Sequence, residues 1–166
     1  QYIFVIETKN PEAGQVVSLL RELWSGKNAY VIPMSSKLVA LVIDEQIIEE
    51  TGEQFAQMMG QFILDELYLE SRIGFSEPAK NPSMLAQAYK EALEAINLLK
   101  RFGLQTGFGN YSRMNLYVML NSLPPSTVEI IRNLYKHKWQ LVKDDQELLF
   151  TLQKLMEYNL NLSEAA

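Results

Sequence analysis

The chain has no cysteine and one histidine, His137. Without cysteine there is no disulfide frame, no thiolate metal site and no cysteine nucleophile, a composition that suits a reducing cytoplasm. With one histidine, flanked by Lys136 and Lys138 in a basic, surface-like patch, no Ser-His-Asp set can be argued. No apolar run approaches the roughly 18 residues of a membrane span, and nothing near Gln1 has the pattern of a signal peptide. Positive charge is also scarce. Fifteen Lys and Arg against 20 Asp and Glu leave a formal net charge of −5, which argues against gripping a phosphate backbone. What the chain does have is 48% hydrophobic residues in a length of 166, enough for one cored domain, with or without an appendage.

Two stretches, Tyr2-Ile3-Phe4-Val5-Ile6 and Leu38-Val39-Ala40-Leu41-Val42-Ile43, are apolar at every position, as in strands buried on both faces. Ala29 to Ile32 is a third strand, and Pro33 at its end places it at an edge. Ile73-Gly74-Phe75 is a fourth; a glycine inside an apolar strand implies that something packs close to its backbone. Between them lie helices. Asn10-Pro11 opens one with Val16, Leu19, Leu20 and Leu23 as its inward stripe and Gly26 as a left-handed cap. A long helix over about Ile47 to Leu69 buries Phe55, Met58, Met59, Phe62, Ile63 and Leu67, and Gly52 and Gly60 each cost it about 1 kcal/mol. Asn81-Pro82 opens a third, with Asn81 capping backbone N–H groups and Leu85, Ala88, Tyr89, Ala92, Ile96 and Leu99 on one face. The predicted fold is α+β: a ferredoxin-like β-α-β-β-α-β core with strand order 4-1-3-2, helices on one face, and additional C-terminal helices.

Past Gly103 the pattern changes. Gln105 to Tyr111 is a further strand or a loop, and Met114 to Leu123 a short helix. Ser126-Thr127-Val128-Glu129 has capping-box spacing ahead of a short helix through Ile130, Ile131 and Leu134. Asp144 caps a helix carrying Leu148, Leu152, Leu155 and Met156, and Ser163 caps one barely begun. The domains are therefore read as 1–123, α+β, and 124–166, helical. An opening Gln1 and that last, unfinished helix are expected of a piece of a longer protein.

Few residues point to chemistry. Asp44, Glu45, Glu49 and Glu50 crowd a predicted helix start; they permit metal binding, but carboxylates are favoured there by the helix dipole anyway. Gly107-Phe108-Gly109 lacks the lysine of a P-loop and the third glycine of a dinucleotide fingerprint. Tyr2, Phe4, Phe55, Phe62, Tyr89 and the seven methionines are expected in the core.

Two stretches together carry a resemblance. Arg72-Ile73-Gly74-Phe75-Ser76-Glu77-Pro78, followed by Gln87 to Ile96 with Tyr89, Ala92 and Ala95, resembles the central segment of CdaR/PucR-type bacterial transcription regulators, where an "IGxS" strand precedes an "AYxEAxxAL"-like helix. Asp144-Asp145-Gln146-Glu147-Leu148-Leu149-Phe150-Thr151-Leu152 and then Asn159 to Ala166, with Asn161, Ala165 and Ala166, resemble the start of that family's C-terminal helix-turn-helix domain. The resemblance implies a degenerate GGDEF-like domain, related in fold to nucleotide cyclases, ahead of a DNA-binding domain.

A working diguanylate cyclase carries Gly-Gly-Asp/Glu-Glu-Phe at the hairpin between strands two and three. Here that hairpin is Met34-Ser35-Ser36-Lys37; the glycines for phosphate and the carboxylates for magnesium are missing. Glu7 lies near the first strand's metal-ligand position without a visible partner, and two-metal phosphoryl chemistry needs both. The expectation is a cytoplasmic, catalytically inactive regulatory or oligomerisation domain. It uses no cofactor or metal and meets no membrane, self-associates as a dimer, and reaches DNA only through a segment beyond Ala166. The alternative is a nucleotide or small-metabolite sensor. An enzyme using the Asp44 to Glu50 carboxylates with a metal is the third possibility.

Overall fold

A computed structural model describes residues 1–104 and 107–157. Five strands, β1 (Tyr2–Thr8), β2 (Ala29–Pro33), β3 (Leu38–Ile43), β4 (Ser71–Phe75) and β5 (Phe108–Asn110), form one sheet in the order β2-β3-β1-β4-β5. Six α-helices are described: α1 (Ala13–Leu23), α2 (Gly52–Leu67), α3 (Leu85–Arg101), α4 (Asn115–Ser122), α5 (Pro125–Asp144) and α6 (Gln146–Glu157). The first four strands stand in the expected order. β5 extends the sheet past β4 and runs parallel to it, with Gly74 opposite Gly109. The chain divides into two compact units, Gln1–Ser112 and Arg113–Ala166, earlier than the division after residue 123 read from the sequence.

Alternation along β1 explains why its apolar run is unbroken. Phe4 and Ile6 face one side and join Val16, Leu20, Leu41, Phe55, Ile63, Ile73 and Phe75 under α1 and α2. Ile3 and Val5 face the other and join Ala88, Ala92 and Ile96 of α3. The expectation of helices on one face holds for α1 and α2 only; α3 covers the opposite face, which is what buries β1 twice. Gly74 is the point of closest approach. A Cβ there would run into the Ala92 carbonyl oxygen and come within 3.0 Å of Ile96 Cγ1, so the bare glycine lets helix and strand backbones touch.

Several helix limits differ from the sequence reading. α1 begins at Ala13 rather than at Asn10-Pro11, and its first N–H donates to the Ser36 carbonyl at 3.1 Å. Gly26 does take the left-handed conformation, at φ +75°, but Leu23 is exposed. α2 begins at Gly52, not Ile47, because Thr51 and Gln54 form a capping box; Gly52 is thus a helix start, pressed against Phe75, and carries no mid-helix cost. Met58 of α2 points outward. Before α3, Pro82–Met84 forms a 3-10 turn, and Asn81 accepts from the Ser83 hydroxyl at 2.5 Å instead of capping backbone. Of the methionines expected in the core, Met59 and Met114 are buried, whereas Met34, Met58, Met84 and Met119 are exposed.

Gly60 is interior to α2, and a Cβ there would meet only Ile73 Cδ1, at an ordinary 3.5 Å. Gly60→Ala is therefore expected to stabilise the fold by about 0.5–1 kcal/mol, measured as a higher urea midpoint. A lower midpoint would show that the helix needs that position bare.

β2 is an edge strand, as Pro33 predicts. Pro33 offers no N–H, and the Arg21 guanidinium donates to the Val31 carbonyl at 3.4 Å. Both blunt the edge against pairing with another chain.

In the second unit α5 runs far past Leu134, and Pro125 occupies its first turn without a side-chain cap, so the expected Ser126–Glu129 box is not what starts it. Ile130, Ile131, Leu134 and Tyr135 are exposed along it. Asp144 is the last residue of α5; it is Asp145 that accepts from the Leu148 N–H, at 3.0 Å, at the start of α6.

Candidate functional site

The register of the sheet assembles one end of the first unit. Glu7 stands opposite both Leu38 and Arg72, and Thr8 opposite Ser71. This brings the end of β1, the β2–β3 hairpin, the start of β4 and the C-terminal turn of α3 together.

The hairpin is tightly self-bonded. Met34 and Ser35 N–H groups donate to the Leu38 carbonyl at 2.9 and 3.1 Å. The Ser35 hydroxyl oxygen accepts from the Lys37 and Leu38 N–H groups at 3.2 and 3.1 Å. Its carbonyls are also engaged: Ser36 takes the first N–H of α1, and Lys37 takes the Thr8 N–H at 2.9 Å. The Lys37 ammonium donates to the Lys9 carbonyl at 3.2 Å. Backbone donors that an anion would need at the start of α1 are thus partly occupied by the protein's own carbonyls.

Glu7 is held in an ion pair. Lys100 of α3 meets it at 2.8 Å. The pairing follows from strand alternation, since Ile3, Val5 and Glu7 share the α3 side of β1. Beside it, Lys9 pairs with Glu70 at 3.0 Å with both side chains mostly exposed. A cleft of about 450 Å³ opens here, with Lys9, Ser71, Arg72 and Lys100 in its lining. None of these cations stood out in the sequence. Lys9 follows β1, Arg72 lies on β4 and Lys100 on α3, and only the pairing of β1 with β4 and the packing of α3 on the sheet make them neighbours.

The other candidates separate. Asp44 accepts from the Gln46 N–H at 3.2 Å and caps the 3-10 turn Glu45–Ile47, while Glu49 and Glu50 lie in the connection ahead of α2. Among the described residues no three His, Cys, Asp or Glu side chains gather as a metal site. Burial, with Glu77, Glu45 and Glu53 nearby, raises the Tyr2 phenol above its usual 10.0. Gly107-Phe108-Gly109 belongs to β5 and its approach: the Gly107 carbonyl accepts from the Ile73 N–H at 2.9 Å. His137 lies within α5, and its side chain is outside what is described.

The motif residues form a packing joint. Ile73 and Phe75 are buried under α1 and α2, while Gly74 meets Ala92 of α3. Ala95 is fully buried, and Tyr89 packs half-buried at the edge of the α3-side core. Ser76 is buried, its hydroxyl donating to the Glu77 carbonyl at 3.2 Å. In α6 the Thr151 hydroxyl donates to the Glu147 carbonyl at 2.9 Å and Leu152 is half-buried. Asn161, Ala165 and Ala166 lie outside the described residues.

A sheet whose strands β1 and β3 are apolar on both faces, with helices on both sides, defines an α+β domain with a ferredoxin-like core. The sequence profile of the GGDEF-like domain matches residues 1–98. That is more than half of the 166 residues, and the chain belongs to the GGDEF-like domain family. No curated protein and no solved structure matches it. Among the described residues, no helix is long and apolar enough to cross a membrane.

Proposed function

We propose that this GGDEF-like domain is a catalytically inactive regulatory and oligomerisation domain of a cytoplasmic bacterial transcription regulator of the CdaR/PucR type. It relays effector state to a C-terminal helix-turn-helix domain through the helices that follow the sheet. The observation that carries the inactive reading is the hairpin. Met34-Ser35-Ser36-Lys37 has no glycine for phosphate approach and no carboxylate for magnesium, and the Ser36 and Lys37 carbonyls close onto α1 and β1. Glu7, the carboxylate nearest to a metal-ligand position, is neutralised by Lys100. Two-metal phosphoryl transfer requires carboxylates that are free to coordinate. The exposed Ile130, Leu134 and Tyr135 of α5 support self-association of the helical unit, since large apolar side chains grouped on one helix mark an interaction surface.

The chain incubated with GTP and magnesium or manganese is expected to give no cyclic dinucleotide above a blank. Measurable product would overturn the inactive reading. Sedimentation of the wild type and of Leu134→Glu tests the dimer: the wild type is expected to sediment as a dimer and the variant as a monomer. A monomeric wild type would remove self-association.

A second reading, a nucleotide or small-metabolite sensor, is favoured by the open cleft beside the hairpin. Calorimetric titration with guanine and adenine nucleotides tests its nucleotide form, and no heat across the panel would remove that form.

A further inference from the structure

We propose that the cleft between the end of β1, the start of β4 and the last turn of α3 binds a small oxyanion, a phosphate or carboxylate group, with Arg72 as its principal ligand. The proposal deepens the sensor reading and rests on it for the role of the ligand, though not for the binding itself.

Charge is the first observation. The chain as a whole carries −5, yet Lys9, Arg72 and Lys100 converge on this one cleft against Glu70, with Glu7 paired to Lys100 from β1. Three cations therefore meet two carboxylates. Arg72 is the cation left over: among the described residues its guanidinium has neither an ion pair nor a hydrogen bond. A guanidinium presents two parallel N–H donors that match two oxygens of a carboxylate or phosphate. Lys9 is available as well, because its pair with Glu70 is exposed on both sides and such pairs hold weakly.

Shape is the second observation. The volume, about 450 Å³, is that of a small-molecule site, and Leu99 and Leu104 give it an apolar wall for the body of such a ligand.

The test uses the full 166-residue chain titrated with inorganic phosphate and, separately, with acetate, at ionic strength held constant with sodium chloride. Backbone amide shifts of Lys9, Ser71 and Arg72 are followed by NMR. Saturating shifts at these residues are expected. Arg72→Gln should weaken binding at least tenfold, and Arg72→Lys, which keeps the charge and loses the fork, should fall between. Tighter phosphate than acetate assigns the site to phosphorylated ligands, and the reverse order to carboxylates. Shifts that do not saturate, or that persist unchanged in Arg72→Gln, would overturn the site. Arg72 is exposed on its strand, and an unchanged spectrum elsewhere shows that the variant is folded. Silence in the nucleotide calorimetry would remove only the nucleotide form of the sensor reading, whereas failure of this titration removes the cleft as an anion site.

Discussion

Gly74→Val is expected to destabilise the first unit by about 3 kcal/mol or more. The position lies between two backbones. On one side it is registered with Val5 of β1 and Gly109 of β5; on the other an added Cβ runs into the Ala92 carbonyl oxygen. A side chain can rotate away from a new methyl, but a helix carbonyl cannot without lifting α3 off the sheet. Lifting α3 would open the cluster of Ile3, Val5, Ala88 and Ile96. Urea unfolding followed by circular dichroism measures the effect, with Gly60→Ala as the control of opposite sign. A Gly74→Val midpoint equal to wild type would mean that α3 does not approach as closely as described, and would remove the physical account of the Gly74–Ala92 motif.

That joint was legible in the sequence because it rests on identity at single positions: a glycine in an apolar strand, alanines at helical spacing. The two-sided burial of β1 and β3 was legible for the same reason, since every residue in each run is apolar. The start of α2 was missed although Thr51 and Gln54 carry a capping-box pattern. Ile47 and Ile48 continue the apolar spacing backwards, and periodicity outweighed the cap. The face of α3 was missed because alternation says that a strand is covered twice without saying by which helix. The Lys9, Arg72 and Lys100 cleft had no signal at all. Lys100 and Glu7 are 93 residues apart, and nothing in the spacing of either stretch encodes the register that joins them.

The register itself is held from the other face of the sheet, by aromatic rings. Phe4 is fully buried, with ring centroids 5.6 Å from Tyr2, 4.9 Å from Phe55 and 5.2 Å from Phe75. Trp24 extends the group through Phe55 at 5.9 Å. Phe4→Ala removes the ring that touches β1, β4 and α2 together, and the expected loss is about 3–5 kcal/mol. Phe62→Ala on the outer side of α2, where the ring is only half-buried, should cost clearly less. Thermal unfolding of both variants measures the difference, and equal losses would show that the aromatic group is not a unit. Phe4 is paired with Phe75 two registers from the Ile6–Ile73 pair and three from Glu7–Arg72. Loosening Phe4 is therefore expected to blur the amide signals of Glu7 and Arg72 in the folded fraction, on the far face of the sheet. The aromatic side of the sheet would then set the geometry of the charged cleft without touching it.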